Sequence, residues 1–318
     1  MPDVVLAVDI GGTKTAVALA DESGRIVDSV TDRTPATEGP QAVVNKVAAL
    51  AAVLIDRADP PVSLRGAGVA TAGVVDIDAG FIVSSTDTMT GWAGTPLAAM
   101  LRVALGASLA TECLVLVQND VDAHAIGEFY HGAALGALSA LVVAVGTGVG
   151  AGIIIDGRVL RGARHVAGEI AHMPTPGAQH LRCPCGRMGH LEAIGSGVGL
   201  HRQYLWLGGD EGATDSRAVA ARAEEGDRLA QRSLADSAAV VGRAVAAAVT
   251  LLDPDRVVVT GGVVEIGSRW WKPMVESFRH EVIDVLGDVP VVRGTLGADA
   301  PLRGAATSVW KTLAGERT

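Results

Sequence analysis

Two glycine turns, each flanked by apolar segments, constrain the fold of this chain more than any other feature. The first turn, at residues 10–14, lies between the apolar segments 4–9 and 15–19, and the second, at residues 146–150, has similar flanks. Short apolar runs on both sides of a glycine turn predict a strand, a turn and a second strand. Because this pattern occurs twice, we predict a duplicated α/β protein in two lobes with a central cleft.

The remaining apolar periodicity supports the same architecture. Helices are predicted at residues 41–58, 121–130 and within 216–252, and strands at residues 67–75, 114–117 and 256–259. We expect the change of lobe near Asp120, where a strand passes into a helix. The small lobe would comprise residues 1–119 and a C-terminal helix at 303–318, and the large lobe residues 120–302 with an inserted Cys/His-rich loop.

The composition indicates a globular protein. Of the 318 residues, 49% are hydrophobic and 19% are charged, and this length suffices for two domains with separate cores. No apolar run approaches the ~20 residues that cross a bilayer, and no leader-like segment begins the chain, so we expect a cytoplasmic protein with no membrane partner. The three cysteines do not form a disulfide framework. The net charge of −9 argues against nucleic-acid binding.

The glycine turns carry residues suited to phosphate binding. Gly11 and Gly12 allow backbone amides to approach phosphate oxygens closely. Thr13 and Lys14 add a hydroxyl and a positive charge, and Asp9 offers a carboxylate suited to Mg²⁺. Further donors are predicted at Gly146, Thr147, Gly148, Gly150, Gly261 and Gly262. Taken singly, each turn is also typical of an ordinary tight turn, and neither matches a P-loop.

Asn119 and Asp120 follow the strand predicted at residues 114–117. Ligands of open α/β sheets gather at the carboxyl ends of strands. A carboxylate at that place could accept the proton of an attacking hydroxyl during phosphoryl transfer. The same residue types are favoured as helix N-caps, and the two residues alone favour that interpretation. His124 shares a helix face with Asp120 and could act as a base, but a solvated or supporting histidine is favoured.

A third group of residues has the composition of a metal site. Cys183 and Cys185 are separated by one residue, and thiolates at this spacing can share a zinc ion. His172 and His190 could complete a tetrahedral Cys₂His₂ site.

Taken in order, these motifs resemble those of the ROK family of bacterial sugar kinases and repressors. The order is D-I-G-G-T-K at residues 9–14, N-D at 119–120, G-T-G-V-G-A-G at 146–152, G-E-I-A-H at 168–172, C-P-C-G-R-M-G-H-L-E at 183–192 and L-R-G-A-A at 302–306. The match therefore covers nearly the whole chain. The resemblance implies a two-lobed actin-like (hexokinase-type) ATPase fold. It also implies ATP-dependent, Mg²⁺-assisted phosphorylation of the 6-hydroxyl of a hexose or N-acetylhexosamine.

The resemblance also assigns roles to single residues. Asp120 resembles the family's catalytic base, and Asn119 resembles the residue that holds a sugar hydroxyl. Glu169 and Glu192 resemble carboxylates that accept hydrogen bonds from ring hydroxyls, and His172 faces the sugar with them. Charged acceptors suit this task because they bind hydroxyl donors more strongly than neutral acceptors do.

The resemblance further implies a structural zinc ion. In the family three cysteines and one histidine hold the metal, whereas here His190 stands at the third cysteine position. Imidazole is a competent zinc ligand, so we expect the site to be retained. The metal would hold a loop in place so that the sugar-binding side chains have fixed directions.

The acceptor is the least constrained part of the prediction. Gly73 ends a T-A-G turn, and Thr86 or Asp87 would face the acceptor. This turn and the spacing to Trp92 look more like N-acetylmannosamine kinases than glucokinases, and glucose and N-acetylmannosamine are the expected substrates. A cyclitol acceptor, a polyphosphate donor and a sugar-binding protein without turnover stay open.

Two other classes fit the sequence poorly. A DNA-binding repressor would need a helix-turn-helix domain before Asp9, and eight residues leave no room for one. An assembly ATPase would have no use for the paired sugar carboxylates. We expect a sugar and ATP as partners, no nucleic acid, and a homodimer or higher homo-oligomer. Trp270 and Trp271 could mark a subunit surface or belong to the core.

Overall fold

The computed structural model describes residues 1–86, 88–106, 113–316 and 318. The chain divides into two compact units. The first unit comprises Met1–Gly136, Gly152–Ala167 and Leu296–Thr318, and the second comprises Ala137–Ala151 and Gly168–Thr295. Asp87, predicted to face the acceptor, lies outside the described residues.

Strands and helices both contribute to each unit, and the α/β prediction is confirmed. The strands are β1 (Asp3–Ile10), β2 (Lys14–Ala20), β3 (Ile26–Arg33), β4 (Ser63–Thr71), β5 (Val74–Asp76), β6 (Phe81–Ser84), β7 (Leu114–Asn119), β8 (Ala140–Val145), β9 (Val149–Ile155), β10 (Arg158–Val159), β11 (Arg256–Thr260) and β12 (Val291–Arg293). The helices are α1 (Pro40–Asp56), α2 (Leu97–Ala104), α3 (Asp120–His131), α4 (Glu192–Gly195), α5 (Gly197–Trp206), α6 (Ser216–Glu224), α7 (Arg228–Leu252), α8 (Ser268–Glu281) and α9 (Asp299–Leu313).

A five-stranded sheet with the order β3-β2-β1-β4-β7 forms the centre of the first unit. β1 is antiparallel to β2 and parallel to β4, which is parallel to β7. Successive side chains of a strand point to opposite faces, and β1 uses both. Leu6 and Val8 pack in a cluster with α1 and α2, whereas Val5 and Ala7 pack against α9. Helices therefore cover both faces of this sheet.

The pairing of α3 with α9 depends on two glycines. A Cβ atom added to Gly304 would overlap the carbonyl group of Ala123, and one added to Gly127 would overlap that of Ala300. This close approach explains why α3 belongs to the first compact unit. We predicted the change of lobe near Asp120, and this boundary remains a prediction. In the structure, α3 lies in the same compact unit as β1 and α9.

A second five-stranded sheet has the order β10-β9-β8-β11-β12. β8, β11 and β12 run parallel, and β9 pairs antiparallel with β10. Gly146 and Thr147 lie in the turn that joins β8 to β9, so the second turn also has the predicted strand, turn and strand.

The second unit is built around α7. This helix is long and apolar enough to cross a membrane by composition, but 61% of its most apolar window is buried, as in a core helix. The predicted helical segment 216–252 is interrupted because Gly226 has a φ of 98° and Asp227 caps α7 with its side chain. Trp270 is fully buried and donates to the hydroxyl of Ser237 at 3.1 Å, so it belongs to the core.

Candidate active site

Two carboxylates stand at one edge of the first sheet. Asp9 lies near the end of β1, and Asp120 begins α3 directly after β7. Because β1 and β7 are both parallel to β4, their carboxyl ends share this edge. Burial, with a smaller contribution from the charge of Asp120, raises the pKa of Asp9 to about 7. Burial also raises the pKa of Asp120, opposed by its hydrogen bonds to the amides of Val121 and of Asp120 itself.

Asn119 caps the helix that carries Asp120. Its Oδ1 accepts from the amides of Val121 and Asp122 at 2.8 and 3.2 Å, which confirms the N-cap interpretation. Its Nδ2 donates to the carbonyl of Gly73 at 2.9 Å. Gly73 has a φ of 104°, a conformation that a side chain would strain, and it interrupts the strand predicted at 67–75. Asn119 therefore holds Asp120 and the turn after β4 in a fixed relation, and the second N–H of its amide meets no acceptor among the described residues.

The first glycine turn, or first hairpin, joins β1 to β2. The amide of Gly11 closes the turn onto the carbonyl of Lys14 at 3.0 Å. The hydroxyl of Thr34 donates to the carbonyl of Gly11 at 2.7 Å and lies 2.8 Å from the hydroxyl of Thr15. Within the described part of the chain, the amides of Gly12 and Thr13 meet no acceptor, so this pair is available to phosphate oxygens.

The second glycine turn, or second hairpin, joins β8 to β9. The amide of Gly146 closes the turn onto the carbonyl of Gly148 at 2.9 Å. The carboxylate of Glu192 accepts from the amide of Val149 at 3.0 Å. The amides of Thr147 and Gly148 find no acceptor among the described residues, which repeats the arrangement of the first hairpin.

The other predicted phosphate-binding residues lie close to this hairpin in the chain's second unit. Gly150 is part of β9 and does not belong to the turn itself. Gly261 has a φ of 99°, and an added Cβ would lie 2.5 Å from the carbonyl oxygen of Val145. The same carbonyl accepts from the amide of Val263 at 3.0 Å. The Gly261–Gly262 turn therefore packs on the end of β8, beside the second hairpin.

The four predicted metal ligands come together. One ligand atom from each of His172, Cys183, Cys185 and His190 lies within 4.8 Å of the others. The Sγ atom of Cys183 is 3.6 Å from Nδ1 of His172, and the Sγ atom of Cys185 is 3.2 Å from Nδ1 of His190. In a tetrahedral site with zinc bonds of about 2.3 Å to sulfur and 2.0–2.1 Å to nitrogen, such pairs are separated by about 3.6 Å. The cluster therefore has the size of a zinc site.

The electrostatics of the cluster also suit a cation. The pKa of Cys183 is raised to about 11 by burial, with the charges of Cys185 and Glu192 adding to the effect. Burial, together with the charges of His172 and Arg187, lowers the pKa of His190 and favours the neutral imidazole that binds metals. Two adjacent thiols do not both ionise easily without a cation, and a bound metal would remove this conflict.

Glu169 lies beside the cluster. Its Oε2 is 3.6 Å from Nε2 of His172, whose Nδ1 faces Cys183. A carboxylate on the outer nitrogen of a ligating histidine fixes the orientation of the ring. Glu169 and His172, both predicted to contact the sugar, are thus next to each other in the second unit.

Two observations bear on the predicted acceptor loop. The hydroxyl of Thr86 lies 2.6 Å from that of Thr88 on the surface. Thr88 also approaches the first hairpin, because a Cβ added to Gly12 would lie 3.1 Å from its Cγ2 atom. Thr86 is thus close in the chain to a residue that touches the first hairpin, and its contact with an acceptor remains a prediction.

The sequence analysis did not single out a buried acid on α3, the helix that begins at Asp120. Glu128 is fully buried and accepts from the amides of Ala133 and Leu296 at 2.8 and 3.0 Å. Spacing provides the only sequence signal, since Asp120, His124 and Glu128 follow one another at four-residue intervals on α3. Burial lowers the pKa of His124, opposed by the charge of Glu128, and its Nε2 atom is buried, so His124 is not a solvated histidine.

Comparison with known proteins agrees with this geometry. The ROK family model matches residues 5–312. A glucokinase of Halalkalibacterium halodurans is 31% identical over 313 residues, which cover 94% of this chain and 92% of the relative. This chain belongs to the ROK family. An N-acetylmannosamine kinase of Citrobacter koseri is 32% identical over 308 residues, covering 95% of this chain and 97% of the relative.

Among solved structures, a ROK family glucokinase from Streptomyces griseus in complex with glucose and AMPPNP matches with a TM-score of 0.80 and 29% identity, covering 95% of this chain and 98% of that one. This ROK protein is a sugar kinase with the actin-like, hexokinase-type ATPase fold. The predictions of family, fold class and enzyme class are confirmed, whereas the roles of individual site residues remain predictions.

Proposed function

We propose that this ROK kinase transfers the γ-phosphoryl group of ATP to the 6-hydroxyl of a hexose or N-acetylhexosamine, with Asp120 as the general base. One observation carries the proposal: the carboxylate of Asp120 stands at the ligand-binding edge of the sheet and forms no ion pair with any described residue. Its raised pKa brings it closer to the range in which a general base works well.

The other residues divide the remaining tasks. Asn119, Glu169 and Glu192 would accept or donate hydrogen bonds to ring hydroxyls and hold the acceptor in line. The open amides of the two hairpins would hold phosphate oxygens, with Lys14 adding positive charge. Asp120 would take the proton of the attacking hydroxyl.

A magnesium ion fits the first unit. Asp9 carries a carboxyl whose pKa is raised to about 7 by burial and by the charge of Asp120, so a divalent cation would relieve the repulsion between them. Asp9 would hold this ion directly or through its water shell, and the ion would neutralise phosphate charge.

We further propose that His172, Cys183, Cys185 and His190 bind a structural zinc ion. The close approach of their four ligand atoms, which all lie within 4.8 Å of one another, supports this proposal. The zinc would hold the loop that ends at Glu192, so that Glu169 and Glu192 keep fixed directions toward the sugar.

Glucose and N-acetylmannosamine are the proposed acceptors, because curated relatives of similar identity carry the names of both kinase types. Gly73, Thr86 and Asp87 remain the predicted contacts that distinguish between them. The proposed setting is a soluble, cytoplasmic homo-oligomer that binds neither nucleic acid nor membranes.

A coupled ADP-release assay over a sugar panel tests the function. The panel contains glucose, N-acetylglucosamine, N-acetylmannosamine, mannose, fructose and a cyclitol, with ATP or polyphosphate as the donor. We expect glucose or N-acetylmannosamine to raise ADP release from ATP at least about 10-fold over the sugar-free rate, because a positioned hydroxyl is a better acceptor than unpositioned water. Equal rates with and without every sugar, or turnover of the cyclitol alone, would contradict the proposal.

A further inference from the structure

Glu192 contacts the second hairpin as well as belonging to the predicted sugar site. It is the first residue of α4, directly after the Cys/His loop. Its Oε2 accepts from the amide of Val149 at 3.0 Å. A Cβ added to Gly148 would lie 2.8 Å from the same oxygen, so the carboxylate packs on the backbone of the turn. The side chain thus directly braces the segment that carries the two open amides.

A second bond ties the same pair of segments together. The amide of Gly197, at the start of α5, donates to the carbonyl of Gly146 at 2.8 Å. The hydroxyl of Ser196 donates to the carbonyl of Glu192 at 2.8 Å and accepts from the amide of Gly199. Segment 192–197 therefore contacts both ends of the hairpin. Its backbone binds Gly146, and the carboxylate of Glu192 binds Val149.

The charge of the Glu192 carboxylate should influence phosphate binding, which a neutral side chain at this position would not do. Its negative charge lies within hydrogen-bonding distance of a turn whose open amides suit anionic phosphate, and like charges at this range repel each other. Hydroxyl donors on the same carboxylate would spread its charge and weaken that repulsion. A bound sugar would therefore strengthen nucleotide binding, and a bound nucleotide would strengthen sugar binding by the same factor.

We propose that Glu192 is a positioning residue that couples the two substrates, one oxygen holding the second hairpin while the other accepts from the sugar. The inference rests on the proposed function for its sugar contact, but the hairpin contact stands on the structure alone. Glu192 would act on the nucleotide through Val149 and Gly148.

The test measures the affinity of AMPPNP with Mg²⁺ by calorimetry, first without sugar and then with a saturating acceptor. In the unmodified protein we expect the acceptor to strengthen AMPPNP binding by about 5- to 150-fold, the usual range for coupled sites. In Glu192→Ala, we expect the coupling to vanish because the charge is gone, and sugar-free AMPPNP binding to be about 10-fold weaker than in Glu192→Gln, which keeps an acceptor for the amide of Val149.

Two further variants distinguish loss of the contact between Glu192 and the hairpin from a loss of folding. Glu192→Gln keeps an oxygen that can accept from Val149 but lacks the charge, so without sugar it should bind AMPPNP more tightly than the unmodified protein does, and the coupling should fall. Gly148→Ala displaces the carboxylate without removing its charge and should weaken sugar-free AMPPNP binding. Melting temperatures of all variants report whether each one folds.

Glu169→Ala is the matched control, because it removes the other predicted sugar carboxylate, which lies beside His172. It should weaken sugar binding and leave sugar-free AMPPNP affinity unchanged. The inference is overturned if Glu192→Ala binds AMPPNP without sugar as tightly as Glu192→Gln does. Since that measurement contains no sugar and no turnover, a failure of the proposed function would appear instead as absent acceptor activity with sugar-free effects intact.

Discussion

The two hairpins share one turn design but are held by different chemistry. Each closes its first glycine amide onto a nearby carbonyl and leaves the next two amides open. The first is braced by the neutral hydroxyl of Thr34, itself linked to Thr15, whereas the second is braced by the carboxylate of Glu192. Of these two braces, the second is the charged one.

The strands that lead into the hairpins differ as well. Two residues before the first turn's Gly11, β1 carries Asp9, and at the same distance before Gly146, β8 carries Ala144. The acid near the first hairpin, Asp9, lies on the strand that leads into it. The acid near the second hairpin, Glu192, lies on a separate segment that follows the Cys/His loop. The acid of the first hairpin is therefore local in sequence, and that of the second is distant in sequence.

Among the substitutions that test this difference between the hairpins, Asp9→Asn should have the largest effect on activity. We expect activity to fall by about 10²-fold or more, because the proposed cation loses its carboxylate. The folded pKa of about 7 lies above the ordinary value of 3.8, so the stability from this group is complete below pH 3.8 and is lost as pH rises through 7. At ~1.4 kcal/mol per pKa unit, this loss amounts to about 4 kcal/mol.

Denaturant unfolding of the ligand-free protein at several pH values checks this prediction. The unmodified protein should lose stability between pH 4 and pH 8, and Asp9→Asn should lose clearly less. Identical pH slopes in the two proteins would show that Asp9 ionises as it does in the unfolded chain.

Removal of the proposed zinc should loosen the segment that braces the second hairpin and leave the brace of the first hairpin unchanged. Chelation or His190→Ala would loosen the loop before Glu192, and we expect the sugar KM to rise by about 10-fold, more than the ATP KM. His180→Ala is a matched control, since His180 lies in the same loop but bonds Gln203. Metal analysis that finds no zinc in the purified protein would contradict the metal proposal.

Thr34→Val should give the smallest effect. It removes the partner of the buried Thr15 hydroxyl and of the partly buried Gly11 carbonyl, which costs about 1–3 kcal/mol of stability. The ATP KM should rise by the same factor at low and high sugar concentration, because this brace carries no charge. Thr34→Ser keeps the hydroxyl and should restore ATP binding; a sugar-dependent effect in Thr34→Val would erase the difference between the hairpins.

Local patterns predicted much of this arrangement. Both hairpins follow from apolar runs around glycines, and the cap by Asn119 follows from its residue type after a strand. Cys183 and Cys185 predicted the Cys/His cluster because thiolates at this spacing can share a zinc ion. In each case the residues that interact are near in sequence or carry a distinctive chemistry.

The braces could not be predicted in the same way. Thr34 reaches Gly11 across 23 positions, and Glu192 reaches Val149 across 43, with residue types that are common on any surface. Buried Glu128 likewise binds the amide of Leu296 across 168 positions. Such contacts depend on tertiary packing, so neither periodicity nor spacing reveals them.

Asp120→Asn tests the central claim most directly. The variant keeps size and hydrogen-bonding capacity but cannot accept the hydroxyl proton, so calorimetry should show sugar and AMPPNP binding within about 3-fold of the unmodified protein while kcat falls by about 10²-fold or more. A kcat close to that of the unmodified enzyme would contradict the assignment of Asp120 as the base.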